Sequence, residues 1–183
     1  FSLTLCSSIM EVKIHIKDPI LRAYLNGLFV VREDGAYTLN TDSLTGTVIC
    51  SLVQPSDYPT AEEHGGKETV TFRLPRSRSF ERFRGRAVWL PPHAEAVVNK
   101  VLRREFDLNL DASCTEARMA GVRLMDAIEA FIVSNGMDGH FSGGIETLKK
   151  RFYRSELNTL KRMREIMRQQ ANMRLRRRRK KMD

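Results

Sequence analysis

This chain is short of the residues that build metal sites, disulfide scaffolds and membrane spans. It holds three cysteines, Cys6, Cys50 and Cys114, an odd number with no metal-type spacing. That argues against a disulfide framework and fits a reducing, cytoplasmic setting. The four histidines, His15, His64, His93 and His140, are scattered without a pair at ligand spacing, so neither metal nor cofactor is expected. No stretch approaches the roughly 20 apolar residues of a membrane helix. The nine residues before Met10 are apolar but carry no basic leader, and Met10 reads as the natural start. Gly65-Gly66-Lys67 is followed by Glu68, and Ala61 stands where a leading glycine belongs, so the phosphate-loop pattern is not met. Asp57, Glu62, Glu63 and Asp126 could act as carboxylates, but their spacing pairs none of them. The chain reads as non-enzymatic.

Positive charge is also scarce over most of the length. Residues 1–148 carry 16 Lys and Arg against 19 Asp and Glu. The last 35 residues carry the other 15, against only Glu156, Glu165 and Asp183. A concentrated cationic arm beside a near-neutral body is suited to a polyanion, because clustered Lys and Arg release counterions from phosphate.

The pattern up to residue 90 predicts a small α+β unit. Val12, Ile14 and Ile16 alternate with Lys13, His15 and Lys17, as in a half-buried strand. Asp18-Pro19 supplies an N-cap and a first helical residue, and Ile20, Leu21, Tyr24, Leu25 and Leu28 an apolar face. Asp34-Gly35 signals a turn. Residues 47–53 read as a buried strand, 54–67 as a loop, and 68–74 as a strand burying Val70, Phe72 and Leu74. The expected result is a small N-terminal antiparallel sheet with one helix against it. A second basic island follows, with Arg73, Arg76, Arg78, Arg82, Arg84 and Arg86 interleaved with Phe80 and Phe83. Exposed, such a loop suits phosphate contact and base stacking; alternatively the two Phe fold back onto the core.

From Pro91-Pro92 the period becomes helical. Ala94, Val97, Val98, Val101, Leu102 and Phe106 share a face, and Ser113 with Glu116 forms a capping box that predicts a new helix at 113. Leu124, Ala127, Ile128, Phe131 and Ile132 make a buried stripe ended by Asn135-Gly136. The last helix begins near Gly144. At 100° per residue with Ile145 at 0°, Leu148, Phe152, Leu160, Met163, Ile166 and Met167 fall within about 60°, and Lys150, Arg154, Lys161 and Arg168 near 140–180°. The reading divides the chain into residues 10–90, a helical region at 91–170, and a basic tail at 171–183 expected to be disordered.

The pair of helices across residues 126–154, joined by the glycine-containing segment 136–144, resembles the helix-turn-helix unit of DNA-binding proteins of phages and mobile elements. The resemblance implies a second helix in the major groove braced by the first. On that basis Thr147, Lys150, Arg151 and Arg154 would face DNA, while Ile145, Leu148 and Phe152 pack inward. Lys161, Arg168, Arg176, Arg177, Arg178 and Arg179 would extend the contact, with Arg76, Arg78, Arg82 and Arg84 as a second patch. The implied function is a duplex-DNA-binding protein, regulatory or accessory to replication or packaging. RNA binding through the arginine loop and tail, or a protein or anionic-membrane contact through the last helix, remain alternatives. The apolar side of that helix has to be covered, by folding back or by a homodimer.

Overall fold

A computed structural model describes residues 10–56, 68–75, 80, 83, 86–139 and 144–179, with side chains up to residue 173. The fold is mixed α+β. Strand β1 (Glu11–His15) buries Val12 and Ile14 and exposes the alternate positions, as period-two patterning requires. It pairs antiparallel with β5 (Thr69–Arg73), setting Val12 opposite Phe72 and Ile14 opposite Val70. The short strands β2 (Val30–Val31) and β3 (Tyr37–Thr38) flank the Asp34-Gly35 turn, where Asp34 Oδ1 accepts from the Ala36 amide and Gly35 takes φ +79°.

The sheet order is β1-β5-β3-β2. Because β3 runs parallel to β5, the sheet is mixed rather than wholly antiparallel as expected. A separate pair joins β4 (Gln54–Ser56), in a segment read as loop, to β6 (Ala87–Trp89).

Helix α1 (Pro19–Leu28) starts as predicted: Asp18 Oδ1 accepts from the Ile20 amide. Residues 47–53 differ from expectation. Residues 47–52 belong to helix α2 (Leu44–Leu52), with Val53 as its C-cap, not to a strand, so a second helix joins α1 among the described residues of the N-terminal unit. The β-branched run suggested a strand, but tertiary capping outweighs that modest propensity. Ser43 Oγ accepts from the Gly46 amide, and the Glu105 carboxylate accepts from the Leu44 and Thr45 amides and the Thr45 hydroxyl. Donors left open by a first helical turn are thereby satisfied.

Helix α3 (Pro92–Met119) is a single element, so the break expected before Ser113 is absent. Ala94, Val98, Leu102, Phe106, Leu110 and Cys114 form one row at four-residue steps, all buried. That row crosses position 113 without interruption, and an i+4 ridge buried throughout holds the helix together better than a local capping signal can divide it. Val97, expected on the buried face, is exposed. Two Schellman closures follow. At the end of α3, Val122 N bonds Ala117 O and Gly121 N bonds Arg118 O. At the end of α4 (Leu124–Ser134), Met137 N bonds Ile132 O and Gly136 N bonds Val133 O. Gly121 and Gly136 hold φ of +80° and +58°, the left-handed geometry this cap needs.

One hydrophobic cluster runs from Val12 to Phe152 and crosses the division expected at residue 90. Its centre is aromatic. Tyr24 meets Phe106 edge-on at 5.0 Å, and Phe131 lies 5.8 Å from Phe106, which ties α1, α3 and α4 together. Phe80 and Phe83 are buried in the same cluster, so the fold-back alternative holds and they are not an exposed stacking surface.

Helix α5 (Gly144–Arg179) seats Leu148 and Phe152 in the core. It then continues to Arg179, so residues 171–179 are helical rather than disordered. No Gly or Pro follows Gly144, and the arginines, Ala171, Met173 and Leu175 are good helix formers.

Candidate nucleic-acid interface

The site is built on α5 alone. Its first three turns dock on α3 and α4 through Leu148 and Phe152, both on the side set by Ile145. Docking that side turns the opposite one outward. Lys150, Arg154, Lys161 and Arg168 are all exposed and lie within about 40° of one another around the helix. Thr147 shares this outer side and is exposed. From Lys150 to Arg168 the row extends about 27 Å along the axis. Among the described residues, no ion pair engages any of these four cations. Arg164, absent from the expected set, is also exposed and borders the row; the same 100° step places it about 100° from Ile145, between the two faces.

Of the acids on α5, Glu146 is bound by Lys149 and Glu156 by Arg118, each at 3.2 Å. Glu165 lies on the cationic side and accepts from Gln169. The row is therefore interrupted by a single carboxylate.

Arg151 is not part of the row. It was expected to face DNA, but its side chain is only 21% exposed and points into the body. Nη2 donates to Asp18 Oδ2 at 3.0 Å, Nε lies 3.8 Å from Asp107 Oδ1, and the guanidinium sits over the Phe106 ring at 5.1 Å. On the helical wheel position 151 lies midway, about 60° from both Leu148 and Arg154, so it is these contacts to Asp18, Asp107 and Phe106 that take it out of the row.

Arg76, Arg78, Arg82 and Arg84 lie outside the described residues, as do the side chains of Arg176, Arg177, Arg178 and Arg179. Also outside are Cys6, Asp57, Glu62, Glu63, His64, the 65–67 glycine-lysine segment and His140. Arg73, at the start of that basic island, is held by Glu11 at 2.7 Å and by Asp34, so it serves the sheet.

Elsewhere, the described titratable groups are structural in setting. His15 Nε2 is 3.0 Å from Glu68. Burial pushes the Cys50 thiol up, and pushes that of Cys114 up to about 11, helped by nearby Asp111; both cysteines are free. Among the described residues, no group of three His, Cys, Asp or Glu could hold a metal ion, and no helix is long and apolar enough to cross a membrane. No family model matches the chain, no curated protein matches it in sequence, and no solved structure matches it in fold.

Proposed function

We propose that this protein binds nucleic acid, duplex DNA in preference to RNA, through the outer face of α5, as a non-enzymatic regulatory or replication- and packaging-accessory factor. The observation that carries the reading is the segregation of charge on α5. Lys150, Arg154, Lys161 and Arg168 stand exposed on one side of a helix whose other side begins by packing on the body. The arginine run at 176–179 continues the same helix. A straight cationic row about 27 Å long matches the reach of several successive phosphates along a duplex groove. Preference for duplex over single strands is supported by Phe80 and Phe83. The two rings interleaved with the basic island lie in the core and are not available to stack on unpaired bases.

The test is titration of duplex DNA, single-stranded DNA and structured RNA across a range of salt. With about 5–8 phosphate contacts, the log–log slope on duplex is expected near −5 to −7. Replacing Lys150, Arg154, Lys161 and Arg168 together by Ala is expected to flatten it by about 3–4 units. Deleting residues 175–183 is expected to flatten it further. Unchanged binding by the quadruple variant would remove α5 as the interface.

A further inference from the structure

We infer that two copies of this chain pair antiparallel through residues 159–173 of α5, apolar side against apolar side, with both cationic rows facing outward. The starting observation is a stripe that outlives its binding surface. The side of α5 that seats Leu148 and Phe152 continues past the end of the body. There Leu160 is 49%, Met163 50%, Ile166 45%, Met167 63% and Met173 54% exposed. Every residue from 156 to 173 is exposed, so α5 does not fold back on its own chain.

Charge decides what covers the stripe. Between residues 157 and 173, the arc from about −80° to +60° around Ile145 holds Thr159, Leu160, Met163, Ile166, Met167, Gln170 and Met173. All seven are uncharged, in a stretch that also contains Lys161, Arg162, Arg164 and Arg168. An acidic partner would be drawn to the cations, which border the arc at Arg162 and Arg164 or lie on the far side at Lys161 and Arg168. A neutral arc kept clear of charge suits a second neutral arc, and the same arc on another copy of this chain supplies one. Thr159, Met163, Ile166, Gln170 and Met173 follow one another at steps of four, three, four and three, the spacing of a short knobs-into-holes seam.

The flanking arginines set the direction. Arg162 and Arg164 border the arc on opposite sides, near −100° and +100°. In a parallel pair the two-fold axis would bring Arg162 of one copy beside Arg164 of the other. In an antiparallel pair centred between Ile166 and Met167, Arg162 stands level with Ala171 and Arg164 with Gln169. The same register sets Leu160 opposite Met173 and Met163 opposite Gln170. The contact spans about 22 Å of helix and lies at the small end of specific interfaces, about 1,000–1,200 Å² in total. The pair is accordingly reversible. It does not depend on the nucleic-acid reading, and it places two cationic rows on opposite sides of one assembly.

Sedimentation velocity of the full chain without nucleic acid, from below micromolar to tens of micromolar, is the test. A concentration-dependent monomer–dimer transition is expected. Met163→Glu combined with Ile166→Glu should leave a monomer throughout, with the thermal midpoint of the body unchanged because both side chains lie beyond it. The quadruple alanine variant at Lys150, Arg154, Lys161 and Arg168 should still dimerise while losing nucleic-acid affinity, which separates failure of this inference from failure of the functional proposal. A wild-type chain that stays monomeric overturns the pairing, as does a double-Glu variant that still dimerises. Recruitment of a monomeric wild type to phosphatidylserine vesicles, abolished by the double-Glu change, would assign the stripe to a bilayer instead.

Discussion

Arg151 and Asp18 lie 133 residues apart in sequence and are joined by a 3.0 Å hydrogen bond. Asp18 therefore has two roles: one oxygen caps α1 through the Ile20 amide, and the other receives Arg151 of α5 and Arg103 of α3. Three helices meet at one carboxylate, and the arginine that sequence pattern alone would assign to DNA is committed to it.

Arg151→Ala is therefore expected to lower stability by about 1–3 kcal/mol, the scale of a hydrogen bond to a charged group in a partly buried setting, with little change in intrinsic nucleic-acid affinity. Lys150→Ala and Arg154→Ala should do the reverse, leaving stability within about 0.5 kcal/mol and weakening binding. Chemical denaturation alongside a binding titration separates the two classes.

Asp107 carries a pH signature. Burial raises its carboxyl above the ordinary value, outweighing the nearby Arg151 and Arg103, and its Oδ1 is buried without a hydrogen bond. A carboxyl raised on folding contributes its stability below the unfolded value and loses it as pH rises through the folded one. Ionised Asp107 thus destabilises the fold near neutrality. Asp107→Asn is expected to melt higher than wild type at neutral pH, with the gap closing as the pH falls below about 4. A constant gap across that range would show that Asp107 does not titrate in this way.

Helix α2 rests on Glu105. Glu105→Ala leaves the Leu44 and Thr45 amides and the Thr45 hydroxyl without their acceptor, at an expected cost of about 1–3 kcal/mol. Ser43→Ala removes only the local cap on Gly46, at about 0.5–2 kcal/mol. Amide exchange should show α2 opening first in the Glu105 variant.

Gly27 marks a close approach between α1 and the end of α4. A Cβ at this position would meet the Asn135 Cα and carbonyl oxygen at 2.8 Å. Backbone cannot swing aside, so Gly27→Ala is expected to cost about 1–3 kcal/mol through overpacking, despite the better helix propensity of Ala. A thermal midpoint equal to or above wild type would show that the two helices can separate without penalty.

Local signals determined the elements that rest on local physics. The alternation of Val12 and Ile14 defined β1, Asp18-Pro19 the start of α1, and Asn135-Gly136 the end of α4. The 100° step separated the apolar and cationic sides of α5. Each depends on periodicity or on a cap satisfied within a few residues, and the chain carries that information wherever it is placed. Tertiary structure decided the rest. Residues 47–52 became helix because Glu105, about 60 residues away, supplies acceptors that no local pattern reveals. Helix α3 ran through Ser113 because its buried row continues on both sides of it. Phe80 and Phe83 turned inward to join the hydrophobic cluster that the whole fold shares. Arg151 left the cationic row because Asp18 and Phe106 stand beside it. Charge clustering in sequence shows where the cations concentrate, but which arginines remain free depends on which carboxylates the fold brings within reach.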